Sequence, residues 1–228
     1  MKSIVLRKAV RNPQHFPFLQ AVRRLFGTTC PAACMGMKVK PIDQRGQSMD
    51  EIRSNLPNRL TEQELGRILA APDCSTPAGL RDRAILELLG GAGLKVQDLL
   101  PLRVENLDLQ ISCVFLPQIP ERVIPFGKRT RDSLMEYLLE MRKEIEDPSC
   151  LLFPGKGGKM LTRQAVWKIV KKYAQAAGVG EWVSPEDLRT SLALSLLRRG
   201  TDVHSVQSIL GIKNAAMKKY LRMEWTDD

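Results

Sequence analysis

The sequence predicts a mainly α-helical domain carrying one small antiparallel β-sheet, an α+β arrangement. Three observations predict it. Capped segments with apolar residues three and four apart recur from Thr61 to Met223. One stretch, Ile111 to Phe126, is instead β-prone and interrupted by prolines. With 43% apolar residues among 228, the chain has enough material to bury a full core.

Residues 1–57 hold five prolines and no sustained apolar period, so a basic arm or leader is expected ahead of a domain spanning 58–228. Eight Lys/Arg and no acid lie between Met1 and Ile42. Such a start equally fits an organellar transit peptide, or a stretch upstream of a true start at Met35 or Met37. Cys30 and Cys34 have no second ligand pair nearby, so no metal site is expected. In "LTEQELGRILAAP", Thr61 and Glu64 make a capping box, Leu65, Ile68 and Leu69 an apolar stripe, and Pro72 a stop. "GLRDRAILELLGGAGL" predicts a second helix with Leu80, Ala84, Ile85, Leu88 and Leu89 inside and a glycine-rich exit. "KVQDLLPL" continues as a short helix up to Pro101.

Ile111 to Leu116 and Glu121 to Phe126 then read as the strands of a hairpin turning at Pro117 to Pro120. A helix is expected within Lys128 to Ile145, with Leu134, Tyr137, Leu138, Met141 and Ile145 on its core face. "LLFPGKGGKM" predicts a short strand and a glycine turn; its "GKGGK" lacks the spacing of a phosphate loop. Thr162 caps the next helix, which buries Val166, Ile169, Val170 and Tyr173 and stops at Gly178. Three helical segments close the chain: Pro185 to Arg199, Val203 to Leu210 and Asn214 to Met223.

The net charge of +10 points towards nucleic acid, but beyond Ile42 there are 27 basic and 25 acidic residues. Local patches therefore decide. Lys156, Lys159, Arg163, Lys168, Lys171 and Lys172 form the main one, with no acid from Lys156 to Lys172. No apolar run approaches the roughly 20 residues of a membrane span. Five cysteines without a signal peptide fit a reducing compartment, so a cytoplasmic protein with free thiols is expected.

Taken in order, "LTEQELGRILAAP", "LRDRAILELLGGAGLKVQDLLPL", "LLFPGKGGKMLTRQAVWKIVKKYAQAAGV" and "SPEDLRTSLALSLLRRGTDVHSVQSILGIKNAAMKKY" resemble the catalytic domain of the tyrosine recombinases, the phage integrase and Xer-type family. The resemblance covers about Leu60 to Met223. It implies a tyrosine that attacks a DNA phosphodiester, two arginines on the nonbridging oxygens, and a lysine and histidines that move protons. That chemistry uses no metal and no cofactor. It also implies double-stranded DNA as partner, with a second copy or a partner recombinase on the DNA, and nucleoid association when bound. The helical domain that usually precedes this one has no room in residues 1–57, so weak DNA binding is expected.

Residue by residue, the resemblance puts Lys95 where the family has its first arginine, followed by Asp98 as the usual acid. Pro117 falls at the hairpin lysine. Arg189 matches the second arginine, Glu186 replaces the histidine before it, and Ile212 replaces the histidine or tryptophan after "LG". Tyr220 matches the nucleophile, eight residues after Ile212 where nine are usual. Of six reaction positions, Arg189 and Tyr220 thus keep their residue type, Lys95 is conservatively altered, and Pro117, Glu186 and Ile212 are lost.

Arg189 has the competing reading of a solvated helix charge. Glu186 suits the first turn of a helix that Ser184 caps and Pro185 opens, where an acid complements the helix dipole by about 0.3 to 1 kcal/mol. It would oppose a phosphate 4 Å away by about 1 kcal/mol in water and about 4 at intermediate dielectric. Tyr220 shares helical spacing with Met217 and Leu221 and equally makes a packing face. Lys95 follows a helix end where a cation is favoured anyway, and His204 is expected in solvent. The resulting expectation is a degenerate recombinase-like DNA-binding protein tied to recombination or integration, with little or no strand transfer. The alternatives are an active site-specific recombinase forming a 3′-phosphotyrosyl intermediate and a protein-interaction scaffold without DNA.

Overall fold

The computed structural model describes residues 60–116, 122–141 and 150–212. The expected arm at 1–57, the hairpin turn with Pro117, the end of the helix at Ile145 and the last helical segment with Tyr220 lie outside the described residues.

Helix α1, Glu62–Ala70, starts on the expected capping box: Glu64 N donates to Thr61 Oγ1 at 3.2 Å, and Thr61 N donates back to the Glu64 carboxylate at 2.8 Å. Helix α2, Pro77–Leu86, begins two residues before the expected Gly79, because Thr76 caps it and Pro77 takes the first helical position. It does not continue regularly into the glycines. A π-helical segment, Glu87–Gly91, follows, closed by Ala92 N donating to Glu87 O at 3.0 Å. The Glu87 carboxylate is buried there, held by Arg83 at 3.1 Å, Arg129 at 2.8 Å and the Thr130 hydroxyl at 3.3 Å. These partners offset its loss of water and tie the segment to the later helix Lys128–Met141.

The short helix α3, Val96–Leu99, leads to a three-stranded antiparallel sheet in the order β1 Leu107–Asp108, β2 Cys113–Leu116 and β3 Arg122–Pro125. Both expected strands form in shortened versions, and β1 was not expected because a two-residue strand has no readable period. Val114 pairs with Ile124, and Leu116 with Arg122. Helix α4, Lys128–Met141, buries Leu134 and Tyr137, whose hydroxyl donates to Leu152 O at 2.9 Å. The strand expected at "LLF" is not made. Leu151 and Pro154 form isolated bridges to Arg103 and Met160 instead, since Pro154 offers no N–H to a ladder.

Helix α5, Arg163–Ala176, carries its expected cap at Thr162 and its expected core face. Helix α6, Pro185–Arg198, lies against the π segment and α1. Helix α7, Val203–Leu210, is capped by Asp202 and ends at Gly211. One large apolar cluster joins α1 to α5, the sheet and the start of α6. A second, smaller cluster of Ala193, Leu196, Leu197, Val206, Ile209 and Leu210 fixes α7 to α6.

Candidate functional site

The end of α7 gathers three cations from three distant parts of the chain. The glycine exit of the π segment supplies the first. Gly93 has φ +73°, and a Cβ there would run into the Leu210 side chain, so only glycine lets this turn approach the end of α7 so closely. Two residues on, Lys95 Nζ donates to Gly211 O at 3.1 Å. Helix α6 supplies the second: Arg189 Nη2 donates to Leu210 O at 2.6 Å. Strand β3 supplies the third, with Arg122 Nη2 donating to Ile209 O at 3.2 Å.

Three successive carbonyls, 209 to 211, therefore each accept from a cation. The last carbonyls of a helix lack intrahelical donors and carry the negative end of its dipole, so this is where cations are held best. Gly211 closes the arrangement with φ +59°, and a Cβ at that position would meet the Arg122 guanidinium.

Two carboxylates border the cluster. Asp98 Oδ2 lies 3.5 Å from Arg122 Nη1, and Glu186 Oε2 lies 3.4 Å from Arg189 Nη1. Three positive groups thus face two negative ones. The Lys95 ammonium is held below the usual lysine pKa, first by partial burial, then by repulsion from Arg189 and Arg122; Asp98 and Glu186 oppose the shift. Arg189 and Arg122 also keep buried Nε–H groups without a hydrogen-bond partner among the described residues. Three positive groups converging on one helix end, with a net positive charge over the two bordering carboxylates, suit an anion such as a phosphate.

Arg189 is 3% exposed, which rules out the solvated-charge reading. Glu186 and Asp187 both stand in the first turn of α6, as expected. Asp187 answers Ser184 in the capping box, leaving Glu186 as the ion partner of Arg189. Ile212 packs with Leu192 and Val203 against the α6–α7 cluster, so an apolar side chain serves that position structurally. His204 is exposed, as expected. Arg122 was missed by sequence reasoning, which stopped at the absent lysine; the available signal was a lone arginine opening the run Val123–Pro125.

The basic run forms a separate surface. Lys156, Lys159, Arg163 and Lys168 are exposed. Lys171 donates to Glu181 O, and Lys172 Nζ lies 3.0 Å from Tyr173 Oη and 3.9 Å from Asp82. Those last two charges are partly spent on the protein itself. Trp167, 43% exposed, stands among them with Lys171 Nζ 5.6 Å from its ring centroid. None of the six adds a hydrogen bond or ion pair to the three-cation cluster among the described residues.

Among known proteins, the phage integrase family model matches residues 58–224. The tyrosine recombinase XerD of Pseudomonas aeruginosa is 38% identical over 167 residues, 72% of this chain and 56% of that protein. The Listeria innocua XerD is 39% identical over 164 residues, 69% of this chain and 54% of that protein. The chain thus spans little more than half the length of these relatives. The crystal structure of XerA recombinase superposes with a TM-score of 0.66 at 25% identity, covering 78% of this chain and 63% of that one. The XerH site-specific recombinase, in a post-cleavage complex with its difH substrate, has the same fold at a TM-score of 0.64, with 23% identity, 75% of this chain and 51% of that one.

Proposed function

The chain belongs to the phage integrase family, and on that premise we propose that it binds double-stranded DNA in recombination or integration while transferring strands little or not at all. One observation carries this reading: Lys95 and Arg189, far apart in sequence, present their charges at the same helix end. A DNA phosphodiester between them accepts hydrogen bonds from both and is held against the positive surplus. Arg189 supplies a planar fork, whereas Lys95 supplies a single point charge, so two-oxygen recognition is weaker on its side. The exposed bases Lys156, Lys159, Arg163 and Lys168, with Lys171 and Lys172, add contacts to neighbouring phosphates that carry no sequence information.

Strand transfer needs more than binding. Tyr220 is the proposed nucleophile: its oxygen attacks phosphorus and the 5′ oxygen of the DNA departs, requiring a proton. Pro117, Glu186 and Ile212 offer no such proton in the roles that the family resemblance assigns to lysine and histidine. Glu186, 3.4 Å from Arg189, also competes with the phosphate for that guanidinium. The chain assembles on DNA with a second copy or a partner recombinase, and only a partner recombinase brings the proton donors that Pro117, Glu186 and Ile212 do not offer.

The test uses nicked duplex substrates that trap a covalent protein–DNA product, read on denaturing gels for the native chain and for Tyr220→Phe. No adduct is expected, together with duplex binding that weakens steeply with salt. An adduct that Tyr220→Phe abolishes would show an active recombinase. Absence of binding even at low salt would leave a protein-interaction scaffold.

A further inference from the structure

We propose that Arg122 is a positioning residue of the same pocket, whose charge holds the α7 end and Lys95 in their phosphate-binding arrangement. The inference rests on the reading of that pocket as a DNA phosphodiester site. It assigns a role to a residue that no sequence consideration singled out.

Arg122 opens β3 and pairs with Leu116 of β2, so the sheet fixes its backbone. From there its guanidinium reaches two elements at once. Nη2 bonds the Ile209 carbonyl of α7, and Nη1 lies 3.5 Å from the Asp98 carboxylate on α3. Its flat face sits over Gly211, where any side chain would displace it. The Arg189–Leu210 and Lys95–Gly211 bonds take the next two carbonyls of the same helix end.

Both neighbours depend on its charge. Asp98 is 2% exposed, with its Oδ2 3.5 Å from Arg122 Nη1. With Arg122 neutralised, Asp98 would draw the Lys95 ammonium towards itself and away from the Gly211 carbonyl. The repulsion that Arg122 exerts on Lys95 would vanish at the same time. The two changes act in one direction: Lys95 becomes a stronger base and a poorer phosphate ligand. Glu186 and Arg189, the remaining charged groups facing Lys95, stay in place.

The experiment uses the full chain with labelled lysine side chains, the Lys95 resonance being identified by its loss in Lys95→Arg. Its titration is followed by NMR without DNA, for the native chain, Arg122→Gln and Arg122→Lys. In parallel, affinity is measured for a nicked duplex of arbitrary sequence at low salt. Arg122→Gln is expected to move the Lys95 titration to higher pH and to weaken duplex binding on the order of tenfold, the effect of about one lost charge-assisted contact. Arg122→Lys, keeping the charge, should restore the titration and most of the affinity. Matching circular dichroism and thermal unfolding establish that the variants fold.

An unmoved Lys95 titration in folded Arg122→Gln overturns the proposal. So does a native chain whose duplex affinity falls with Lys95→Gln and Arg189→Gln but not with Arg122→Gln, and there the DNA reading survives. If the native chain binds no duplex, the DNA reading fails instead, and the titration alone decides whether Arg122 governs Lys95.

Discussion

Arg189 occupies the second turn of α6 with its charged end inside the protein, bonded to Leu210 O at 2.6 Å. A helix periodicity identifies which face a residue lies on, but not whether that face meets solvent or the end of another helix. Lys95 shows the same limit: a lysine after a glycine turn reads as an ordinary helix-end cation until Gly211 O appears 3.1 Å from its Nζ. Its lowered pKa has a functional consequence. Only the ammonium binds an anion, so affinity is full below the Lys95 pKa and is lost as pH rises through it; the depression brings that loss to lower pH than for an exposed lysine. Lys95→Arg, charged at all accessible pH, is expected to hold its duplex affinity as pH rises towards the ordinary lysine pKa of about 10.4, while the native chain weakens before that point is reached. Parallel pH profiles for the two proteins would refute a role for Lys95 in anion binding.

Helices α1, α5, α6 and α7 are legible in the sequence because each carries a cap that local chemistry explains, and α4 because of its apolar stripe. The elements misjudged were those without a local signature. The π segment at Glu87–Gly91 accompanies a buried carboxylate whose partner Arg129 lies 42 residues beyond it in sequence, and β1 is two residues long. Helix α5 illustrates a third case, in which the element is legible and the use of its charges is not. Lys171 donates to Glu181 O and Lys172, though exposed, is shared with Tyr173 and Asp82, whereas the exposed Arg163 and Lys168 have no such partner among the described residues. In a salt titration of duplex binding, Arg163→Ala and Lys168→Ala should each reduce the slope of log K against log salt by about 0.9, as one phosphate contact is lost. Lys172→Ala should change it less. Equal slopes for all three variants and the native chain would remove α5 from the DNA surface.

The described residues form two apolar clusters of unequal size, and the site straddles the division between them. Its Lys95 and Arg122 come from elements built on the large cluster, whereas α7 is held by the smaller one and by the three cation–carbonyl bonds. Leu86→Ala, in the large cluster at 0% exposure, is expected to cost about 2–5 kcal/mol in urea unfolding. Hydrogen exchange should find the α7 amides opening before those of α2, as befits a helix anchored by fewer buried side chains. Uniform protection across both helices would mean that the cations bind α7 as firmly as a core does. The sequence alone determined the mainly helical class, most helix starts, and the likeness of ordered segments to the phage integrase family, because caps, stripes and motifs are local in the chain. Only the tertiary structure decided that Lys95, Arg122 and Arg189 share one helix end, that Glu186 pairs with Arg189, and that Ile212 belongs to a core. Those facts depend on contacts between residues as many as 116 positions apart, where short-range pattern carries no information and the packing of α6 and α7 against the glycine turn sets the geometry.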